Sequence, residues 1–172
     1  MDTVQTRLIS LTALASDYCG LLEQAAEQEK DDFIRSAVSM LPRIYWEFTD
    51  IEADEDAPAD LAEGFLSGPE YMEEDYYESI RRHVEMLLGE DDTFLETFEQ
   101  DMKYSDTPIA ASISECLADI FQPLYNFVMR VRESDGDQLA AAFLECQEAF
   151  REYWSQTLCN VMRALNHLRY GS

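Results

Sequence analysis

The chain has 172 residues, of which 36 are Asp or Glu and 12 are Lys or Arg, so its formal net charge is −24. Apolar residues make up 47% of the sequence, which is enough for the core of one folded domain and excludes a disordered acidic tail. The acidic balance argues against binding to nucleic acids or to anionic membranes, because both need cationic side chains on the protein.

Localisation is predicted from what the sequence lacks. No apolar run approaches the roughly 20 residues of a membrane span, and residues 1–5 have no basic region typical of a signal peptide. The four cysteines are isolated and form no Cys-x-x-Cys motif, which favours a reducing compartment over a disulfide framework. We therefore expect a cytoplasmic protein.

Two helices are predicted in the first 50 residues, because apolar residues recur there at alternating spacings of three and four. The two stripes are Val4, Leu8, Leu11, Ala15, Tyr18, Leu22 and Ala25, and then Ile34, Ala37, Val38, Leu41, Ile44, Tyr45 and Phe48. The second stripe continues in phase across Pro42, which predicts one kinked helix rather than two. Since only a short polar stretch separates the helices, they are expected to pair as an antiparallel hairpin.

The middle of the chain is predicted to contain two acidic connecting segments, residues 51–69 and 89–107, on either side of a shorter helix. This helix should run from Glu73 to Leu88 and end at Gly89, where a residue with positive φ is favoured. Its apolar face is assigned to Tyr76, Ile80, His83 and Leu87. Residues 90–106 are expected to be irregular or a single helical turn, anchored by Phe94, Leu95 and Phe98.

Two more helices are predicted in the C-terminal part, joined by a tight turn at residues 134–137. Thr107 is expected to cap the first of them and Pro108 to begin it. The stripe of this helix is Ile113, Leu117, Ile120, Leu124, Phe127 and Val131. The stripe of the last helix is Leu139, Phe143, Cys146, Phe150, Tyr153, Thr157, Val161, Ala164 and Leu168, with Trp154 beside it as a further core residue.

The predicted fold is therefore an all-α, up-and-down bundle of about five helices in a single domain, residues 1–172. Two long antiparallel hairpins form its frame, and the shorter acidic helix lies between them in sequence. Phe121, Tyr125 and Met129 form a second apolar strip on the fourth helix, and Trp46 points away from the stripe of the second. We expect the acidic middle segment, rather than a partner chain, to cover these aromatic side chains.

Short motifs carry a resemblance to a known family. They are Leu-Ala-Asp-Ile-Phe at residues 117–121, Phe-Arg-Glu-Tyr-Trp at 150–154 and Ala-Leu-Asn-His-Leu at 164–168, with Asp-Tyr-Cys at 17–19 compatible. Over most of its length the chain resembles the bacterial domain of unknown function 5063. The resemblance implies a small bacterial helical bundle and no assigned activity. Some members carry histidines around the tryptophan, where this chain has Tyr153 and Thr157, so a metal site shared across the family is not carried over.

No motif identifies a catalytic residue, a resident metal or a cofactor. Neither His83 nor His167 stands in the Glu-x-x-His spacing of a di-metal bundle, and the cysteines lack metal-ligand spacing. Residues 50–56 alternate carboxylates but fail as an EF-hand loop, which needs Gly at its sixth position and Glu at its twelfth. The enzymatic alternative is a Mg²⁺-dependent hydrolase of a phosphorylated small molecule. Its candidate carboxylates form two Glu-x-x-Glu spacings: Glu70 and Glu73, and Glu96 and Glu99.

The distribution of charge along the chain supports the leading functional hypothesis, a non-enzymatic interaction module with an acidic face. Between Glu47 and Asp101 lie 20 acidic residues but only two basic ones, Arg81 and Arg82. This surplus either keeps the protein soluble by repulsion or steers a basic protein partner towards it. The candidate contact residues are Trp46, Tyr71 and Tyr77 with the run Asp54, Glu55 and Asp56. The sequence thus favours a non-enzymatic interaction module with an acidic face, and nothing in it indicates a homo-oligomer.

Overall fold

A computed structural model describes residues 3–52, 70–96 and 109–171 of the protein, which are almost entirely helical. The helices are α1 (Thr3–Glu23), α2 (Lys30–Asp50), α3 (Glu74–Leu88), α4 (Ile113–Glu133), α5 (Leu139–Ala149) and α6 (Ser155–Tyr170). A π-helical turn, Phe150–Trp154, joins α5 to α6 without a break, so these two elements correspond to the single last helix of the prediction. The all-α prediction with about five helices is confirmed.

Helix α4 lies at the centre of the bundle, where α1, α3, α5 and α6 all pack against it. Helix α2 packs against α1 and α6. The core between these elements is rich in aromatic side chains. Phe48 stacks on Phe143 with ring centroids 5.4 Å apart and meets the edge of Trp154 at 4.9 Å. These contacts attach the end of α2 to the C-terminal helices.

The predicted apolar stripes describe most of this core. In α1 and α2, Leu11, Tyr18, Leu41 and Phe48 are fully buried, and α2 continues through Pro42 as one helix. Val4 lies in the first turn of α1 and is 37% exposed, so its assignment to the core is wrong.

The stripe of the last helix is correct at its start but shifts at the π-helical turn. In that turn the Ser155 N–H donates to the carbonyl of Phe150, five residues earlier, instead of four as in an α-helix. The wider turn rotates the buried face around the helix axis. Trp154 and Leu158 are therefore buried, whereas the predicted core residue Tyr153 is 48% exposed.

Helix α3 begins at Glu74, one residue later than predicted, and ends at Leu88, followed as predicted by Gly89, whose φ is +59°. Its buried residues are Ile80, Val84 and Leu88. The prediction placed His83 on the apolar face, but its neighbour Val84 is the buried residue there. Tyr76 packs edge-on against Phe121 and Tyr125, with ring centroids 6.0 and 5.5 Å away. The prediction that the middle of the chain covers the aromatic side chains is therefore correct for this strip, which α3 contacts, and wrong for Trp46, which is 60% exposed.

Residues before α4 form a short antiparallel sheet that the sequence analysis missed. Strand β1 (Thr93–Glu96) pairs with β2 (Ile109–Ser112), and Leu95 is 57% exposed rather than an anchor. Helix α4 consequently begins at Ile113, not at Pro108; Phe98, Thr107 and Pro108 lie outside the described residues.

Two side chains explain why α4 begins where it does. The hydroxyl oxygen of Ser112 accepts a hydrogen bond from the Glu115 N–H (3.1 Å). The buried carboxylate of Asp92 accepts two more at 2.7 Å, from the backbone N–H and the hydroxyl of Ser114. The first N–H groups of a helix have no partner inside the helix, and here a local cap and a distant carboxylate satisfy them.

We predict that Phe143→Asp abolishes cooperative folding. Phe143 is completely buried against Phe48, so the substitution places an unpaired carboxylate in the core at a cost above about 4 kcal/mol. Thermal melting followed by circular dichroism measures the effect. Met86→Asp is the control, because Met86 is 74% exposed and its substitution should leave the melting temperature almost unchanged. A cooperative Phe143→Asp transition near the wild-type temperature would contradict the core assignment.

Candidate functional site

A cleft of about 200 Å³ lies between α4 and α5, beside residues 70–72 that lead into α3. Its polar lining residues are Glu70, Gln122, Asn126, Arg130, Glu145 and Tyr153. Arg130 and Cys146 are buried at its inner end, whereas Glu70 and Tyr153 are exposed. The cleft is therefore a polar indentation that reaches from solvent to the edge of the core.

Asn126 places Glu70 at this cleft. Its side-chain oxygen accepts hydrogen bonds from the backbone N–H groups of Tyr71 (2.9 Å) and Met72 (3.0 Å). Both donors precede α3, so one amide on α4 attaches the incoming segment. The neighbouring Glu70 is thereby fixed at the opening.

Arg130 and Glu145 form a salt bridge between α4 and α5 inside the cleft. Only 5% of Arg130 is exposed, and its Nε also donates to the Oε1 atom of Gln138 at 3.0 Å. Burial raises the pKa of Glu145, Arg130 opposes this increase, and the negative charge of Glu70 adds to it. The guanidinium thus keeps a partly buried carboxylate in place.

Two irregularities of the helices border the cleft. Pro123 interrupts the hydrogen bonding of α4, because it has no N–H to donate, and the Cys146 thiol lies 3.7 Å from its carbonyl oxygen. Burial raises the pKa of Cys146 well above its ordinary value, so this thiol is not an activated nucleophile. On the other side, Tyr153 belongs to the π-helical turn, and π turns are frequent at functional sites.

Of the residues that line this cleft, only Glu70 is among the predicted site residues, and it was predicted for a different role. The sequence contains one indication of this cleft: Arg130 follows Phe127 by three residues on the apolar side of the fourth helix. A charged residue at such a position requires a buried partner.

A second polar region surrounds the tyrosines of α3. We call the carboxylates of Glu23, Glu73, Glu78, Glu115 and Asp119 the acidic face. Tyr77 donates a hydrogen bond of 2.5 Å to Asp119, and Tyr76 donates to Glu23. Burial is the main cause that raises the pKa of Tyr77, and the negative charges of Asp119, Glu115 and Glu78 raise it further.

The structure divides the predicted contact residues between two surfaces. Tyr71 and Tyr77 are partly buried on the side of α3 and α4. Trp46 is 60% exposed and lines a groove of about 330 Å³ between α1 and α2, together with Leu11, Leu14 and Pro42. The acidic run of residues 54–56 lies outside the described residues.

Of the four carboxylates of the hydrolase alternative, the structure describes the side chains of Glu70 and Glu73 only, and the alternative stays a prediction. Glu70 and Glu73 both precede α3, with Glu73 as its N-cap residue, and Glu99 and the side chain of Glu96 lie outside the described part. Within residues 3–52, 70–96 and 109–171, no group of three His, Cys, Asp or Glu side chains is arranged to bind a metal ion. Among these same residues, no helix is both long enough and apolar enough to cross a membrane.

The fold and the cleft define a small all-α bundle whose central helix carries buried polar groups. The family model described as Domain of unknown function (DUF5063) matches residues 3–171. The chain therefore belongs to this family, which confirms the resemblance seen in its motifs.

The crystal structure of protein BF1032 from Bacteroides fragilis is similar to this chain, with 25% sequence identity and a TM-score of 0.76. The similarity covers 96% of this chain and 94% of that one. No curated protein matches the sequence.

We predict that Asp119→Asn raises the melting temperature at pH 7 by about 1–2 °C, corresponding to less than about 1 kcal/mol. Burial raises the pKa of Asp119, although the hydrogen bond from Tyr77 opposes this. The folded state therefore binds more protons than the unfolded state, and this contribution to stability grows as the pH falls. Asparagine retains the acceptor for Tyr77 but removes the charge. The advantage of the variant should thus shrink between pH 7 and pH 4.

Calorimetric melting at several pH values tests this, with Glu148→Gln as the control because Glu148 is an exposed acid outside the acidic face. A lower melting temperature of Asp119→Asn at pH 7 would mean that the charged hydrogen bond with Tyr77 outweighs the cost of burial.

Proposed function

We propose that the protein is a non-enzymatic interaction module of the cytoplasm whose acidic face binds a basic protein partner. The observation that carries this proposal is the convergence of carboxylates from α1, α3 and α4 on Tyr76 and Tyr77. Such a surface combines negative charge with aromatic rings in one place.

The charge of this surface is only weakly compensated by nearby cations. Arg81 pairs with Glu78 at 3.3 Å and with Glu85 at 2.7 Å, whereas Glu73 and Glu115 are exposed and have no ion pair within the described residues. A surface of one sign accelerates association with a surface of the opposite sign. The negative charge therefore favours a cationic partner over an acidic one.

Aromatic side chains supply the contact that charge alone does not give. Tyrosine and tryptophan are enriched among the residues that dominate binding energies at protein interfaces. Tyr77 offers part of its ring beside the carboxylates, and Trp46 offers a larger exposed ring at the groove between α1 and α2. We include Trp46 as a second contact, separate from the acidic face.

Affinity capture from a lysate of the source organism at low salt tests the proposal. We expect the wild-type protein to retain a basic protein, and the double variant Glu73→Gln/Glu115→Gln to retain at least about fivefold less of it. The matched control is Glu148→Gln/Glu152→Gln, which removes the same charge from exposed positions on the C-terminal helical segment. Trp46→Ala tests the second contact.

Retention that falls equally in both double variants would indicate general attraction rather than a binding face. The absence of any enriched basic protein would leave the acidic residues as a means of keeping the protein soluble.

A further inference from the structure

We propose that the cleft between α4 and α5 binds the ammonium group of an alkylamine, either a free small amine or the side chain of a lysine. None of the five carboxylates of the acidic face lines this cleft. The proposal therefore does not depend on the proposed protein partner.

The charges in the cleft favour a cation. Arg130 pairs with Glu145 through the Oε2 atom of that carboxylate. Neither the Oε1 atom of Glu145 nor the carboxylate of Glu70 has a hydrogen-bond partner within the described residues. Glu70 and Glu145 line the same small cleft, so their negative charges repel each other, and Glu70 accordingly contributes to the raised pKa of Glu145. One monovalent cation between them removes this repulsion and neutralises the remaining charge.

An ammonium group fits the acceptors of the cleft. It has three N–H donors, and three side chains that line the cleft carry acceptor oxygens: Glu70, Glu145 and Gln122. An anion would meet net negative charge. A divalent metal ion normally needs more oxygen ligands than two carboxylates and an amide supply.

The size and the apolar lining favour a short alkyl chain behind the ammonium group. The cleft has a volume of about 200 Å³ and is lined on its apolar sides by Pro123, Phe127 and Ala142. Drug-sized ligands occupy pockets of about 300–1,000 Å³, so this cleft is suited to a smaller molecule. A chain of about five carbon atoms, as in pentylamine, matches both properties.

The π-helical turn contributes an aromatic ring to the opening. It rotates Tyr153 out of the core position that regular helical spacing would give it, and the side chain lines the cleft while remaining 48% exposed. An aromatic ring within about 6 Å attracts an ammonium group through its negative face. Tyr153 thus adds to the attraction that the carboxylates exert.

The experiment is a titration of the isotopically labelled protein with n-pentylamine at pH 7 and constant ionic strength, followed by NMR. The reporters are the side-chain amides of Gln122 and Asn126 in the cleft, and the indole N–H of Trp46 serves as a distant reference. We expect saturable shifts at the amides with pentylamine. The isosteric neutral 1-pentanol should bind at least about tenfold more weakly, because it lacks the charge that the carboxylates recognise.

The variant Glu70→Gln should weaken pentylamine binding about fivefold or more, since it removes the unpaired charge at the exposed end of the cleft. Glu148→Gln is the matched control and should change the affinity less than about twofold. Glu145→Gln is less suitable as a test. It removes the carboxylate that pairs with the buried guanidinium of Arg130 and would destabilise the fold.

Two peptides distinguish the sources of the amine. Acetyl-Gly-Lys-Gly-amide is compared with its norleucine counterpart, which has the same chain without the charge. Binding of the lysine peptide supports a lysine side chain as ligand, and binding of pentylamine alone supports a free amine. The proposal is overturned if neither amine gives saturable shifts, if pentanol binds as tightly as pentylamine, or if Glu70→Gln and Glu148→Gln behave alike.

The proposed function is tested separately. The variant Glu73→Gln/Glu115→Gln should bind pentylamine as the wild type does, even though it loses the basic protein partner. A protein that captures no partner but binds pentylamine would contradict the proposed function and support the amine site, and the converse result would do the opposite.

Discussion

The position of α4 at the centre of the bundle is the constraint on which the rest of the structure depends. Because α1, α3, α5 and α6 all pack against this helix, the polar groups on its buried sides need partners on neighbouring elements. Asp92 meets the first turn of the helix through Ser114, and the Tyr18 hydroxyl donates to the Leu117 carbonyl at 2.7 Å. Tyr77 from α3 donates to Asp119 further along. These hydrogen bonds specify where each element lies against α4, while the apolar contacts supply most of the stabilisation.

The same constraint produces the cleft. Asn126 and Arg130 lie one turn apart on α4, and each binds a different part of the chain: the segment before α3 and the helix α5. Both side chains also line the cleft. The cleft is therefore lined by the same groups that attach these two elements to α4. A polar cleft is thus a consequence of how the central helix is packed.

The helical fold could be predicted because apolar spacing reports the face that each helix buries. The stripes of α1, α2 and α4 were correct at most positions, including across Pro42 and Pro123, since a proline kinks a helix without changing its phase. The prediction failed where the cause was not local. The π-helical turn at Tyr153 shifts the buried face through the hydrogen bond from Ser155 to Phe150, and β1 exists only through pairing with β2, 13 residues beyond its own end.

The candidate site was less predictable than the fold for a related reason. Periodicity identifies which residues are buried, but it does not identify which buried polar groups meet. Arg130 and Glu145 lie 15 residues apart on two helices, and Asn126 reaches back 55 residues to Tyr71. Composition did point to the acidic character of the surface, because the acidic residues outnumber the basic ones threefold. Composition did not indicate that the guanidinium of Arg130 would be buried below this surface.

The two polar regions differ in the range over which they act. Three carboxylates of the acidic face, those of Glu23, Glu73 and Glu115, are exposed, so its field reaches about 8–10 Å into solvent at physiological ionic strength and weakens as salt is added. The cleft acts only at contact, and its partly buried charges are screened much less. Charge at the surface can therefore raise the local concentration of any cation without selecting among them. Selection requires fixed acceptors, and in the described part of the chain the carboxylate of Glu145 is such a group because the buried guanidinium of Arg130 restrains it.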